Sequence, residues 1–149
     1  MNRIIYTVGT SNRSIEQFTG LLKKYGIEII IDVRSFPTSR FEHFKQKNLS
    51  SHLKEADIGY IHLKELGGYR RGGYRKGGYR SHMKTSEFKE GLKKLEEIAE
   101  TKKAAIVCAE KLPWKCHRRY ITNELSGRGW EIEHIIDEKS GSQKALKEL

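Results

Sequence analysis

The chain has 149 residues, enough for one ordinary hydrophobic core and too few for two. Hydrophobic residues make up 36% of it and charged residues 32%, a composition that argues against wholesale disorder. The formal net charge of +10 favours polyanionic partners, nucleic acid first, over acidic proteins and neutral metabolites. A solvated basic surface is the alternative explanation of that charge.

Apolar runs in the sequence stay far below the roughly 20 residues of a membrane-spanning helix. The N-terminus enters an apolar strand without the features of a signal peptide. We therefore expect a cytoplasmic protein with no membrane partner. The two cysteines, Cys108 and Cys116, are too few for a disulfide framework, and we expect reduced thiols.

Strand and helix patterns alternate along the chain. Ser14 to Gln17 has the form of a capping box, and helical spacing of apolar residues follows it up to Gly26. Asn48 is predicted to cap a second helix, and Thr85 or Ser86 a third. A fourth helix is predicted to begin near His117. The predicted strands are residues 4–8, 27–33, 60–63, 104–109 and 130–136.

This alternation predicts an α/β fold with three layers, in which helices cover both faces of a mostly parallel sheet. We expect a single domain at residues 1–137, with a glycine-, tyrosine- and arginine-rich loop at 67–81 and a solvated tail at 138–149. Ligands of such sheets bind beyond the carboxyl ends of the strands. The residues that follow each predicted strand are therefore the candidates for a site.

Three repeats, GGYRR, GGYRK and GGYRS, fill residues 67–81. Cations that pair with phosphates alternate there with rings that stack on bases, so this RGG-like loop is a candidate nucleic-acid contact. A low-complexity surface loop without a dedicated partner is the alternative. The candidate contact residues are Arg70, Arg71, Tyr74, Arg75, Lys76, Tyr79 and Arg80.

The triplet Asp32-Val33-Arg34 ends the second predicted strand. Side chains alternate along a strand, so Asp32 and Arg34 lie on the same side of the chain and can pair. Either they form a structural ion pair, or Asp32 belongs to a ligand site and orients Arg34 toward an oxyanion. Ser39 and Arg40 would reinforce such an anion pocket.

The segment 108–118 holds the densest set of reactive side chains. Glu110, at a strand end, is a candidate general base or a nucleophile toward a sugar carbon, and His117 a candidate acid/base group. Cys116, at a helix N-terminus among cations, is a candidate nucleophile. Zinc held by Cys108, Cys116 and His117 is an alternative, but their spacing matches no usual paired motif, so we expect no metal and no cofactor.

Five segments, TVGTS, IDVRSFPTSR, YIHLKELGG, YRSHM and VCAEKLPWKCHRRYI, resemble in this order the family of domain of unknown function 488, the YeaO-like proteins, over about residues 5–135. The resemblance implies an α/β fold with a polar pocket, and it carries no activity. Thr10 stands where the family commonly has histidine, which weakens any mechanism that needs that imidazole. The pocket residues that the resemblance implies are Asp32, Arg34, Ser39, Gly67, Gly68, Tyr79, Met83, Cys108, Glu110, Pro113, Cys116, His117 and Arg118.

Residues 31–34 also resemble the early strand of rhodanese domains, and Cys108 follows a strand as a rhodanese nucleophile does. A rhodanese loop closes with an arginine a few residues after the cysteine, whereas Arg118 is ten positions further on. Sulfur transfer through Cys108 or Cys116 is therefore a minor alternative.

The leading hypothesis is an enzyme directed at nucleic acid or nucleotides, acting by hydrolysis or glycosyl-bond cleavage. Arg34, Arg40 and Arg118 would hold phosphate. Glu110 and His117 would supply acid/base chemistry. This hypothesis requires that the side chains of Arg34, Arg118 and Glu110 converge on one cleft. A non-catalytic DNA- or RNA-binding module is the second hypothesis, and the sequence leaves the choice between DNA and RNA, and the oligomeric state, open.

Overall fold

The computed structural model describes residues 3–35, 41–70, 73–74, 78–109, 117–137 and 141–144, with the backbone alone at 69–70, 73–74, 137 and 141–144. The strands in this part of the chain are β1 (Ile4–Gly9), β2 (Ile29–Asp32), β3 (Gly59–His62), β4 (Tyr69–Arg70), β5 (Gly73–Tyr74), β6 (Ala104–Cys108), β7 (Glu131–Asp137) and β8 (Gly141–Lys144). The α-helices are α1 (Ile15–Lys24), α2 (Gln46–Glu55), α3 (Gly78–His82), α4 (Ser86–Thr101) and α5 (Arg118–Gly127).

The main sheet has the strand order β3-β2-β6-β1-β7-β8. The first five strands of this order run parallel, and β8 pairs with β7 in the antiparallel direction. Helices cover both faces, so the predicted three-layer α/β fold is confirmed. Strand β6 lies between β2 and β1 and is buried along its whole length, which explains why residues 104–108 are continuously apolar.

Two hydrophobic clusters fill the space between the sheet and its helices. On one face, Phe18 and Leu22 of α1 pack with Leu49 and Leu53 of α2 and with the 3₁₀ turn Glu42–Phe44. On the other face, α4 and α5 pack over the sheet through the buried residues Phe88, Leu92, Leu95, Ile121 and Leu125. We call these the α1/α2 face and the α4/α5 face.

Local sequence signals place three of the helix ends. Ser14 Oγ accepts from the backbone N–H of Gln17 at 3.0 Å, while the Gln17 side chain accepts from the Ser14 N–H at 2.9 Å, so the predicted capping box is confirmed. Gly26 follows α1 with a φ of 69°, a conformation that favours glycine. Thr85 caps α4 by accepting from the Phe88 N–H.

The predicted cap of the second helix is wrong. Helix α2 begins at Gln46 after Lys45, which makes no side-chain cap. Asn48 instead donates through Nδ2 to the carbonyl of Glu42 at 2.7 Å, which ties α2 to the preceding 3₁₀ turn. The Asn48 side chain therefore contacts the preceding turn instead of capping the helix, and α2 starts two residues earlier, at Gln46.

Two further segments have more structure than their sequence predicts. The glycine-rich loop contains the antiparallel pair β4–β5 and ends in helix α3. Residues 141–144, in the predicted tail, form the edge strand β8 on β7. In the part of the chain that the structure describes, no helix is long and apolar enough to cross a membrane.

Candidate functional site

Asp32 and Arg34 form a buried ion pair at the carboxyl end of β2. Arg34 donates through Nε to Asp32 Oδ1 at 2.9 Å and through Nη2 to Asp32 Oδ2 at 2.8 Å, while Nη1 donates to the Phe44 carbonyl at 2.8 Å. Tyr60 donates its hydroxyl to Asp32 Oδ2 at 2.6 Å. All three guanidinium nitrogens of Arg34 therefore bond to groups within the protein. We call Asp32 and Arg34 the buried pair.

Burial and mutual charge decide the ionisation of this group. Burial disfavours the charge of Arg34, yet the hydrogen bonds and the attraction of Asp32 outweigh it and raise the pKa of the guanidinium. Burial, and then the charge of Asp32, raise the pKa of the Tyr60 hydroxyl above its usual value. At neutral pH the arginine is thus charged and the tyrosine is a neutral hydrogen-bond donor.

A second buried polar group lies under α5. Arg118 is 0% exposed and shares the buried stripe of α5 with Ile121 and Leu125. His134 of β7 contacts Thr7 of the neighbouring strand β1, with 2.6 Å between Nδ1 and Oγ1. Burial, and then the positive charge of Arg118, lower the pKa of His134 to about 4, so this imidazole is neutral at pH 7.

The two buried arginines lie on opposite faces of the sheet. Arg34 reaches Phe44, which belongs to the cluster of the α1/α2 face. Arg118 lies on the stripe through which α5 packs on the other face. The two guanidinium groups therefore have different surroundings, and that of Arg34 is committed to Asp32 and Phe44.

His117 lies at the carboxyl rim of the sheet, directly before α5. Its Nε2 is 3.0 Å from the carbonyl oxygen of Val33, which follows β2. The rings of His117 and Tyr79 are 5.3 Å apart between centroids. Gly68 packs on the imidazole, since a Cβ added there would lie 3.3 Å from the ring carbon Cγ. Three segments that are distant in sequence, after β2, before β4 and before α5, thus meet at this histidine.

A cluster of two half-buried tyrosines and two exposed arginines continues from His117. The rings of Tyr79 and Tyr120 stack with centroids 5.6 Å apart and planes 25° from parallel. The guanidinium carbon of Arg80 lies 5.7 Å from the Tyr120 ring centroid, and that of Arg119 lies 4.7 Å from it. Both arginines are exposed. We call Tyr79, Arg80, Arg119 and Tyr120 the tyrosine–arginine patch.

Charge in the patch acts on Tyr120. Arg119 donates through Nη2 to the Tyr120 hydroxyl at 2.7 Å, and this bond lowers the pKa of that hydroxyl. Cations over aromatic rings attract the ring quadrupole, which keeps the guanidinium groups near the tyrosine face. The patch therefore presents two positive charges on an aromatic support.

Tyr79 also anchors the patch to the rest of the fold. Its hydroxyl donates to the Leu66 carbonyl at 2.7 Å, and its ring packs edge-on against Phe88 at 5.9 Å. Met83 is half-buried against the same cluster of the α4/α5 face. The inner end of the patch is consequently fixed by core packing, while its outer end is exposed.

The structure describes only some of the remaining predicted residues. Ser39, Arg40, Arg71, Arg75, Lys76, Glu110, Pro113 and Cys116 lie outside the described residues. Arg70 and Tyr74 are described in their backbone only, within β4 and β5. Gly67 packs on Ser35 so closely that a Cβ there would lie 2.6 Å from the Ser35 Cα. Cys108 is 1% exposed in the apolar cluster of the α4/α5 face, a setting that does not suit a sulfur-transfer nucleophile.

Three histidines outside the site contact backbone carbonyls of other segments. The Nε2 atoms of His43, His62 and His82 lie 2.8, 2.5 and 2.6 Å from the carbonyl oxygens of Arg13, Arg34 and Glu65. These contacts fit a structural role. Among the described residues, no group of three or more histidine, cysteine, aspartate or glutamate side chains is placed to hold a metal ion.

Sequence reasoning missed four residues of these groups: Tyr60, Arg119, Tyr120 and His134. The sequence carried a signal for Arg119 and Tyr120. On a helix that buries Arg118, the next two residues of CHRRY point away from the core. Tyr60 and His134 gave no such signal. They meet Asp32 and Arg118 only because of the order of the strands in the sheet and the position of α5 on it.

Comparison with known proteins gives the family and no function. No curated protein matches the sequence. The family model described as "Domain of unknown function DUF488" matches residues 14–125, most of the chain and including His117 and the whole tyrosine–arginine patch. The chain belongs to the DUF488 family.

Proposed function

We propose that this protein binds single-stranded nucleic acid through the tyrosine–arginine patch at the carboxyl rim of its sheet. The observation that carries the proposal is the convergence of two exposed guanidinium groups on the Tyr120 ring, which itself stacks on Tyr79. The position agrees with the general rule that open parallel sheets bind ligands beyond the carboxyl ends of their strands.

Phosphate contacts are the first contribution to the proposed binding. Arg80 and Arg119 are exposed and spaced around one ring, so both can face successive phosphates of a strand. Arg34 contributes no such contact in this proposal, because its three nitrogens bond to Asp32 and Phe44. We assign the phosphate contacts to the patch and leave the buried pair a structural role.

Stacking on bases is the second contribution. Single-strand binders commonly combine a positive groove with aromatic side chains on which successive bases stack. Tyr79 and Tyr120 are half-buried and held in a stack, and the guanidinium planes of Arg80 and Arg119 offer further flat surfaces. A duplex keeps its bases paired and stacked, so we expect it to bind more weakly than a single strand.

The glycine-rich repeat extends the same surface in our proposal. Its last unit supplies Tyr79 and Arg80 to the patch. The earlier units carry the same alternation of ring and cation, and we propose that they continue the contact along the strand. The residues concerned are Arg70, Arg71, Tyr74, Arg75 and Lys76.

Binding of fluorescently labelled single-stranded RNA and DNA, measured by anisotropy between about 50 and 200 mM salt, tests the proposal. We expect affinity to fall with salt and the variant Arg80→Ala/Arg119→Ala to lower the slope of log K against log salt by roughly 1.4. The charge-matched control Lys23→Ala/Lys47→Ala removes two exposed cations on the α1/α2 face. An affinity that does not depend on salt, or equal losses in both variants, would contradict the proposal.

The stacking contribution has its own test at Tyr120. Tyr120→Phe keeps the ring, so we expect affinity to stay within about threefold of the wild type, while Tyr120→Ala loses about tenfold, as for removal of one stacked base. If Phe and Ala weaken binding equally, the ring is not a stacking surface and the hydroxyl matters instead.

We further propose that bound nucleic acid is cleaved, by hydrolysis or at a glycosyl bond, with Glu110 and His117 as the acid/base groups. His117 supports this because it lies at the inner end of the patch, 5.3 Å from the Tyr79 ring. Product analysis after incubation with oligonucleotides is the test, and Glu110→Gln is expected to abolish turnover and retain binding. Binding without any product would identify a non-catalytic nucleic-acid-binding module.

A further inference from the structure

An open pocket of about 630 Å³ lies at the amino end of the sheet, opposite the rim that carries the tyrosine–arginine patch. Ile27, Ile58 and Tyr60 form its floor, where β2 and β3 begin. The volume falls within the range of small-molecule sites in proteins, roughly 300 to 1,000 Å³. The proposed nucleic-acid contact makes no use of this pocket, so a ligand here would be a separate one.

Hydrogen bonds to the backbone hold the floor and one wall of the pocket in place. The Glu28 N–H donates to the Lys103 carbonyl at 2.7 Å, and the Gly59 N–H donates to the Glu28 carbonyl at 2.9 Å. The Glu28 carboxylate accepts through Oε1 from the Lys103 N–H at 2.9 Å. These bonds join the segments at the start of β2, β3 and β6. The pocket is therefore formed in the free protein, and a ligand that enters it orders little backbone.

Charged side chains of both signs line the pocket. Lys54, in the last turn of α2, and Lys102, directly after α4, supply two ammonium groups, and Asp57 supplies a carboxylate. All three residues are exposed, and no residue that the structure describes forms a hydrogen bond or an ion pair with their side chains. Their charges are therefore available to a ligand that enters the pocket.

Asp57 occupies a position where the backbone favours glycine. It follows the C-cap of α2 with a φ of 61°, in the left-handed region. The Ile58 N–H donates to the Leu53 carbonyl at 2.8 Å and the Asp57 N–H to the Lys54 carbonyl at 3.0 Å, the two bonds of a Schellman motif. Aspartate adopts this conformation more readily than most residues, but less readily than glycine. Such less favourable residues cluster at ligand sites, which agrees with a ligand contact for this carboxylate.

We propose that this pocket binds a small zwitterion, an amino acid with an apolar side chain. Lys54 and Lys102 bind its carboxylate, Asp57 binds its ammonium group, and its side chain lies on the apolar floor. The carboxyl-terminal end of α2 adds a partial negative charge on the side of Asp57. An anion would also meet Asp57 and Glu28, and a cation would also meet the two lysines, so a ligand with both charges fits best. This proposal does not depend on nucleic-acid binding at the other rim.

Amide ¹H–¹⁵N spectra of the full chain, titrated with L-phenylalanine and L-leucine, test the proposal. Exposed charge pairs contribute little each, so we expect a Kd on the order of 1 mM, with shifts at residues 54–60 and 102. The probes 2-phenylethylamine and 3-phenylpropanoate lack the carboxylate and the ammonium group of phenylalanine, and we expect both to bind about threefold to tenfold more weakly. The proposal is overturned if neither amino acid causes these shifts up to about 10 mM, or if a probe with one charge binds as tightly as phenylalanine.

Asp57→Asn separates the charge of this residue from its backbone conformation. Asparagine also adopts the left-handed conformation, so we expect an unchanged midpoint of urea denaturation and an affinity for phenylalanine about threefold to tenfold lower. Glu97→Gln removes an exposed acid that does not line the pocket and should bind phenylalanine as the wild type does. Unchanged affinity in Asp57→Asn would contradict the proposed ammonium contact.

The two lysines have a matched control as well. We expect Lys54→Gln/Lys102→Gln to weaken phenylalanine binding by about tenfold, because the carboxylate of the ligand loses both ammonium groups. Lys23→Gln/Lys93→Gln removes two exposed cations of α1 and α4 that do not line the pocket, and its affinity should equal that of the wild type. Equal losses in the two double variants would reduce the effect to net charge and overturn the assignment.

Discussion

Arginine and tyrosine occur together in two regions of this molecule and do different things in each. At the end of β2, Arg34 is 6% exposed and its nitrogens bond to Asp32 and Phe44, with Tyr60 bonded to the same carboxylate. In the tyrosine–arginine patch, Arg119 is exposed and donates to the hydroxyl of Tyr120. Residue types alone do not distinguish the two regions.

Desolvation accounts for the difference. A guanidinium that leaves water must find a carboxylate and hydrogen-bond acceptors inside the protein, which commits its donors to the fold. An exposed guanidinium keeps its hydration and exchanges it for phosphate oxygens at small cost. We therefore expect mutations in the buried pair to change stability and mutations in the patch to change binding.

The largest expected effect is that of Asp32→Ala. Arg34 would remain buried without its carboxylate, so we expect the free energy of unfolding to fall by about 3–5 kcal/mol in urea denaturation. Glu97→Ala, which removes an exposed acid of α4, is the control and should stay within about 0.5 kcal/mol of the wild type. Partial recovery in Asp32→Leu/Arg34→Met would show that the unpaired charge causes the loss.

Acid should destabilise the fold through His134, on the other face of the sheet. Its pKa is lowered to about 4 in the folded protein, below the value of about 6.5 in the unfolded chain. The unfolded state therefore binds more protons in this interval, and stability is lost as pH falls from about 6.5 to 4, by up to about 3 kcal/mol. The measurement is urea denaturation across this range.

His134→Gln is the reference for that measurement, because it removes the titrating group from both states. We expect its stability to depend less on pH than that of the wild type over the same interval. Parallel pH profiles of the two proteins would mean that His134 ionises as readily in the folded protein as in the unfolded chain.

Tyr60→Phe sharpens the comparison at the buried pair. It removes the hydroxyl that donates to Asp32 at 2.6 Å, while the two bonds from Arg34 remain. We expect a loss of about 1–2 kcal/mol in the free energy of unfolding. Tyr25→Phe removes a tyrosine hydroxyl without such a bond to a carboxylate and should change stability by less than about 0.5 kcal/mol.

The smallest expected effect on stability is that of Arg80→Ala/Arg119→Ala. Exposed cations contribute little to folding, so the free energy of unfolding should change by less than about 0.5 kcal/mol while affinity for single strands falls. A loss of stability comparable to that of Asp32→Ala would remove the distinction between the two regions.

Much of the fold follows from local sequence. The β-branched runs predict strands, the capping box predicts the start of α1, and the alternation of the two predicts a parallel sheet with helices on both faces. The start of α2 was not predictable in this way, because Asn48 bonds to Glu42 in the preceding turn instead of capping the helix. Strand β8 lies in a polar segment without a periodic pattern, so only its pairing with β7 identifies it as a strand.

The candidate site was predictable in part. Tyr79, Arg80 and His117 were identified from the repeat and from the CHR segment, and the structure brings Tyr79 and His117 together. Arg119 and Tyr120 complete the patch because the turn of α5 directs them away from the core. The burial of Arg118 on the inner side of the same helix indicates this. The role predicted for Arg34 as a phosphate ligand was not decided by the sequence, because only the fold shows that its three guanidinium nitrogens bond to Asp32 and Phe44.

By itself, the sequence determined the elements, the layer architecture and the segments that end at the carboxyl rim, since these depend on patterns within a few residues. Only the tertiary structure decided which charges are buried and which are exposed. Asp32 meets Tyr60 because β2 and β3 are neighbours, and Tyr79 meets Tyr120 because α3 and α5 pack on one face. The electrostatic role of a side chain depends on its distance from water and from other charges, and folding alone sets those distances.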